Sequence, residues 1–151
     1  MLSYIEADEA LRTSVVEQWK SWFPSISRYI NPSPGFTIVA LDGEEAVGLI
    51  AVKIQSLPAP LAGETEGFID DIEVLESHRR QGVATRLIEE SFARAAKREA
   101  VQLRAWSSDD KTEAIPMWKA LGFGLCPAKE TQPTGEVIPG YFVAKPVTGE
   151  P

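Results

Sequence analysis

The sequence predicts an α/β (α+β) protein: a mixed, mostly antiparallel central sheet of six to seven strands with helices on both faces. Three observations carry this. Residues 36–75 hold a run of β-rich segments, with the turn Asp42-Gly43-Glu44-Glu45 between the first two. Residues 82–98 hold the clearest amphipathic helix in the chain. Val101–Trp106 follows it directly as a strand. A run of antiparallel strands followed by a strand–helix–strand unit suggests a mixed sheet covered on both sides.

The elements follow in order. Met1–Glu6 reads as a short first strand, and Asp8 or Glu9 then opens a helix whose apolar face is Leu11, Val15, Trp19 and Trp22, stopped by Pro24. Ser25–Ile30 forms a short second helix, and Asn31-Pro32-Ser33-Pro34-Gly35 is a loop by its breakers. Phe36–Leu41 and Ala46–Gln55 are strands of one hairpin, Leu57–Glu66 is a surface loop, and Gly67–Leu75 is a third long strand. In the helix from Gly82 to Arg98, the residues Ala84, Leu87, Ile88, Ser91, Phe92 and Ala95 line one face. Thr112–Leu121 is a helix stopped by Gly122, with Pro116 kinking or delaying it. Phe123–Cys126 and Tyr141–Val147 are the last strands, separated by a polar loop from Pro127 to Pro139.

With 151 residues the chain reads as one domain, and a domain of that length buries roughly 70% of its unfolded surface. The net charge of -7 argues against a nucleic-acid partner held by a general positive field and mildly favours cationic ligands. Cys126 is the only cysteine, which excludes an internal disulfide and fits a reducing compartment; as a side chain it reads as a small buried apolar residue. The first eight residues have neither the basic start nor the apolar run of a signal peptide, and no stretch nears the ~20 apolar residues of a membrane span. These observations read as a cytoplasmic protein with no membrane partner. No spacing supports a metal site, a Gly-x-Ser-x-Gly hydrolase or a nucleotide-binding Gly-x-x-x-x-Gly-Lys or Gly-x-Gly-x-x-Gly loop.

The chemistry concentrates in residues 67–90, where strand, short loop, glycine and helix succeed one another. The first turn of a helix leaves backbone N–H groups without partners, and the helix dipole adds positive charge there. A phosphate is the natural guest. In Arg79-Arg80-Gln81-Gly82-Val83-Ala84-Thr85 the two arginines supply forked donors. Gly82 permits close approach, Ala84 keeps the helix start open and Thr85 adds a hydroxyl. The bland alternative is a basic, solvated helix start with no ligand.

The pattern Arg-x-x-Gly-x-Ala resembles the coenzyme A signature of the GNAT-family N-acetyltransferases. Phe68–Val74 resembles that family's central strand, ending five residues before the first arginine. Ala114-x-x-Met117-Trp118-x-x-Leu121-Gly122-Phe123 resembles its later helix ending in Leu-Gly-Phe, and Asp42-Gly43 with Val47-Gly48 resembles its hairpin. The resemblance spans residues 36–147; the first 35 fit in element order only. It implies acetyl-CoA as co-substrate, with the pyrophosphate on residues 79–85 and the pantetheine arm in a gap between the central strand and Val101–Trp106. Backbone groups of Ile72 and Val74 would pair with the arm, and an N–H near Val74 would polarise the thioester carbonyl. It implies an acceptor that is a primary amine of a small molecule or a protein. Many members are dimers, so a homodimer stays open.

An ammonium group must lose a proton before it attacks a thioester, and a nearby carboxylate can accept it. Asp70 and Asp71 are adjacent acids on a predicted buried strand, with Asp70, Ile72 and Val74 on one face and Asp71 and Glu73 on the other. The pair resembles the acidic pair of polyamine-type members. That likeness makes Asp70 the first choice for base or amine-binding group and Asp71 the second, and implies a cationic acceptor. The bland alternative is one aspartate solvated at the sheet edge and the other paired with an arginine.

The sequence also departs from the family. Trp118 stands where the resemblance calls for a tyrosine that reprotonates the thiolate, and Lys111 stands where many members carry asparagine. Tyr141 is a candidate substitute acid. His78 reads as an exposed loop residue, and Trp19, Trp22 and Phe23 mostly as core, leaving Tyr29 and residues 31–35 to meet the acceptor. A second function therefore stays open: a module of the same fold that binds coenzyme A or an acyl-CoA and catalyses nothing.

Overall fold

The computed structural model describes residues 1–30 and 33–147. Seven strands form one sheet in the order β1-β2-β3-β4-β5-β7-β6: β1 Leu2–Glu6, β2 Gly35–Asp42, β3 Glu45–Ser56, β4 Thr65–Val74, β5 Ala100–Ser108, β6 Gly124–Thr131 and β7 Val137–Pro146. Every neighbouring pair is antiparallel except β4 and β5. The helices are α1 Glu9–Trp19, α2 Val83–Lys97 and α3 Ala114–Ala120. Among the described residues, no helix is long and apolar enough to cross a membrane.

Two apolar clusters occupy the two faces of the sheet. Leu87, Ile88 and Ala95 of α2, with Trp118 of α3, pack on Ile38, Ile50, Val52, Leu103 and Val143. Val15 and Trp19 of α1 pack on Val39, Ala46 and Leu49 from the opposite side. Successive β2 residues, Ile38 and Val39, thus serve different cores, and both are fully buried.

Local signals place most boundaries. Asp8 accepts a hydrogen bond from the amide of Leu11 at 2.8 Å and so starts α1. Pro116 is the third residue of α3, where its missing N–H has no intrahelical acceptor to serve. It delays the helix to Ala114 rather than kinking it.

Four expectations need correction. Helix α1 ends at Trp19, because the amides of Trp22 and Phe23 both turn back to the Trp19 carbonyl. Trp22 therefore lies outside the helix, 48% exposed, with its ring 4.9 Å from that of Trp19. The second helix shrinks to a 3-10 turn at Ile26–Arg28. The loop from Pro127 to Pro139 is mostly strand: β6 runs to Thr131 and β7 begins at Val137. The prolines fit because β6 is the outermost strand, and because Pro139 lies past the last β5–β7 pair, Ser108↔Gly140. Cys126 is exposed rather than buried, again because β6 is an edge. Asn31 and Pro32 lie outside the described residues.

Candidate active site

The site begins where β4 and β5 part. They pair through Thr65↔Ala100, Gly67↔Leu103 and Phe68↔Arg104, and the pairing stops there. Beyond it the strands diverge into a fork between residues 69–74 and 105–108. Its closed end is held by Glu66, which the sequence left in a loop but which is the second residue of β4 and 1% exposed. The Glu66 carboxylate accepts from Gln55 of β3 at 2.8 Å and from Gln102 at 2.9 Å and Arg104 at 2.9 and 2.6 Å on β5. Burial alone would raise its pKa; the Arg104, Gln55 and Gln102 hydrogen bonds outweigh that and hold it below the usual carboxylate value. Beside it, a Cβ on Gly67 would lie 2.7 Å from the Leu103 side chain and 3.0 Å from that of Val52, so these buried side chains would have to shift to admit one.

A β-bulge shapes the open end. Val52 pairs with Ile69 and Ala51 with Asp71, leaving Asp70 as the extra residue, exposed. The simple alternation expected for Asp70 therefore does not hold. Ile69 and Ile72 pack with the α2 core, while Glu73 lies opposite Leu49 and Asp71 opposite Ala51, toward the α1 side. The backbone alternates as well. The Leu75 amide bonds the Val47 carbonyl of β3, so the backbone groups of Val74 and Ile72 point the other way, into the fork. The Val74 carbonyl is taken by Arg79 Nε at 3.0 Å, which leaves its N–H and both groups of Ile72.

Next to the fork lies the turn before α2. Gly82 is the helix N-cap at φ +79°, and a Cβ there would meet nothing within 4 Å. The conformation calls for glycine, and the space in front of it is open. The first intrahelical bond runs from the Arg86 amide to the Gly82 carbonyl. Among the described residues no side chain caps the helix, and no hydrogen bond is donated by the amides of Gly82, Val83, Ala84 or Thr85. Arg80 adopts a left-handed conformation, φ +63°, and pairs with Glu113 at 3.3 Å, both highly exposed. Gln81 bonds the Ser77 carbonyl at 3.3 Å. His78 is less exposed than expected, its ring lying between Ser77 Oγ at 2.8 Å and Asp42 at 3.0 Å, which ties this loop to the β2–β3 turn.

The openings adjoin one another. A cavity of about 330 Å³ between Val74, Arg79, Gly82 and Thr85 shares Ala114 and Met117 with a second of about 310 Å³ in the fork. The fork cavity is lined by Asp71, Ile72, Ser107, Lys111 and Trp118 among others. It shares Ile69, Asp70 and Trp106 with a third of about 400 Å³, where Phe68, Phe142 and Glu130 complete the wall. The three cavities thus adjoin one another, from the free amides of α2 to the fork and beyond it.

Asp71 is the perturbed group in the fork. Burial chiefly, then the Glu73 carboxylate beside it, pushes its carboxyl up to about 7; Lys111 opposes and Asp70 adds to the rise. Its Oδ2 is buried with no hydrogen-bond partner among the described residues. Tyr141 lines a different cavity, with Asp109 and Lys129, and not the fork. Trp118 is 3% exposed and lines the fork directly. Trp19 is core and Trp22 is surface, and neither lines the fork. Glu66, Ser107 and the His78–Asp42 pair were missed by sequence reading. Glu66 went unseen because Pro58, Pro60 and Gly63 make Leu57–Glu66 read as a surface loop.

Comparisons agree with this architecture. A structure of Arabidopsis thaliana NAA60 in complex with acetyl-CoA superposes with a TM-score of 0.78 at 15% identity, covering 97% of this chain and 100% of that one. The ribosomal-protein-S18-alanine N-acetyltransferase from Escherichia coli gives 0.74 at 13% identity, covering 100% and 97%. An aminoglycoside 6'-N-acetyltransferase complexed with coenzyme A gives 0.70 at 17% identity, covering 100% and 99%. At these identities the likeness is one of fold. No curated protein matches the sequence. The model of the Acetyltransferase (GNAT) family matches residues 3–123, most of the chain, and on that ground the chain belongs to the acetyltransferase (GNAT) family.

Proposed function

We propose that this acetyltransferase moves the acetyl group of acetyl-CoA directly to a primary amine, carried by a cationic small molecule or a protein, with Asp71 as the group that meets the amine. The observation that carries the reading is the pair of adjoining cavities, one at the unbonded amides of α2 and one at the partly buried Asp71 in the fork, with Ala114 and Met117 between them. The coenzyme's pyrophosphate sits on the amides of residues 82–85, with Arg79, Arg80 and Gln81 at its edge and Val83, Ala84 and Thr85 forming the helix start. The pantetheine arm fills the fork as an added strand, its amides meeting the backbone of Ile72, and the Val74 N–H polarises the thioester carbonyl.

Asp71 takes precedence over Asp70 because it is partly buried in the fork while Asp70 is exposed, and a carboxyl raised to about 7 can accept a proton near neutrality. Asp70 and Glu73 add negative charge that favours a cationic amine. The amine nitrogen attacks the carbonyl carbon, the C–N bond forms, the amine's proton goes to Asp71 directly or through water, and the C–S bond breaks with its electron pair on sulfur.

The test is thiol release from acetyl-CoA against polyamines, aminoglycosides, amino acids and lysine peptides. Release that depends on one of these acceptors is expected. Coenzyme binding with no release for any of them would favour the non-catalytic module.

A further inference from the structure

The chain carries seven lysines, and among the described residues Lys111 alone lines the fork cavity, which Asp71 and Glu73 also line. Lys129 lines two cavities outside the fork. Lys20 is paired with Glu17, and Lys145 donates to the Leu121 carbonyl at 2.8 Å. Lys111 lies in the turn between β5 and α3, pinned by its backbone: its amide donates to the Ser108 carbonyl at 3.2 Å, and its carbonyl accepts from the Ala114 amide at 3.0 Å. The side chain above that root is exposed, a flexible stem ending in an ammonium group. Its charge acts on the Asp71 carboxyl through space rather than by a hydrogen bond. A primary amine and the group able to take its proton thus border one space of about 310 Å³.

Resting on the acetyl-CoA reading above, we infer that Lys111 is itself an acetylation site: with the coenzyme bound and no acceptor present, its ε-amine takes the acetyl group of the same chain's acetyl-CoA. In that reading the thioester reaches the fork beside Asp71, so amine, base and carbonyl meet without diffusion, which removes a large part of the barrier. The ammonium gives one proton to Asp71, directly or through water, and Nζ attacks the carbonyl carbon. The N–C bond forms, and the C–S bond breaks with its electron pair on sulfur. The second proton leaves the new amide nitrogen and reaches the thiolate through water. The products are an acetylamide at position 111 and free coenzyme A. An external amine departs after reaction, whereas Lys111 stays in the fork. Release without an acceptor therefore stops at one coenzyme A per chain.

The test incubates the full-length protein with acetyl-CoA alone, follows thiol release, and maps acetylated lysines by mass spectrometry of the digested chain. Lys111 should be acetylated at least about tenfold faster than the exposed Lys20 and Lys119, at a rate per chain that does not change with protein concentration. Asp71→Asn should slow it about tenfold. Lys111→Arg, which keeps the positive charge, should abolish the acceptor-free release, and Lys119→Arg should leave it intact. Acetylation of Lys111 no faster than that of Lys20 and Lys119, or at a rate that climbs with protein concentration, overturns the inference. The acetyl-CoA reading survives that outcome if calorimetry still shows coenzyme A binding and an external amine still triggers release. Failure of the wild type to bind coenzyme A at all overturns both.

Discussion

Two carboxylates on β4, Glu66 and Asp71, sit five residues apart at opposite ends of the same fork. Glu66 is the more deeply buried, yet it is held ionised by four hydrogen bonds from three side chains. Asp71 is less buried, yet it is pushed up to about 7, with one oxygen unpartnered and a second acid beside it. Burial therefore does not distinguish a structural acid from a reactive one; the supply of donors does. Where β4 and β5 pair, β5 delivers Arg104 and Gln102 to Glu66. Where they part, no strand is left to deliver them to Asp71. The same divergence opens the cavity and leaves the acid in it poised.

The comparison can be broken at either end. The largest effect is expected at the closed end. Arg104→Met strands the Glu66 carboxylate in the core and should cost about 3–5 kcal/mol. By calorimetry the melting temperature should drop by roughly 10 °C. A drop of only a degree or two would mean that the clamp does not hold the fork.

At the open end, Asp71→Asn should lower turnover at least about tenfold with little change in KM for acetyl-CoA. Because the base works ionised, wild-type activity should rise with pH through about 7, and the variant should lose that limb. Asp70→Asn should leave turnover within about twofold, since an exposed carboxylate interacts weakly. The reverse ranking would return the role to Asp70.

Gly82→Val forces a branched side chain into a left-handed conformation and into the open space before the helix. Titration calorimetry should show coenzyme A binding weakened by about tenfold, with a stability loss of about 1–2 kcal/mol. Unchanged affinity would remove the α2 amides from the site.

The smallest effect concerns stability. A carboxyl at about 7 when folded, against an ordinary value of 3.8, holds its proton more tightly in the folded state. Stability from this group is therefore fully present below 3.8 and is lost as pH rises toward 7. Asp71→Asn should melt about 2–4 °C higher than wild type at pH 8, with the difference vanishing in acid. Glu66 has the opposite sign: its contribution is present at neutral pH and is lost as pH falls below the ordinary carboxylate value.

Much of this was legible in the residues alone. The hairpin at Asp42-Gly43, the cap at Asp8, the amphipathic face of α2 and the anion-ready turn at Gly82 depend on neighbours within about one helical turn or one tight turn. Such features are written in contiguous sequence. The terminal strands were cut short because Pro127 to Pro139 reads as a polar loop, and only the edge position of β6 and the place of Pro139 beyond the last β5–β7 pair make these residues compatible with strands. Asp70 was ranked above Asp71 on the likeness to the acidic pair of polyamine-type members, and the bulge that leaves Asp70 exposed and Asp71 partly buried is not written in those residues.

The sequence by itself determined the order and type of the elements, the helix start suited to a diphosphate, and an acidic pair on the central strand, because each is a matter of nearby residues. The tertiary structure alone decided which acid is desolvated, which glutamate is clamped and which lysine lines the fork. Those outcomes depend on groups far apart in the chain, such as Glu66 and Arg104, that meet only when β5 lies beside β4. They depend equally on the absence of such a meeting at Asp71, beyond the last pair Phe68↔Arg104, where the two strands separate.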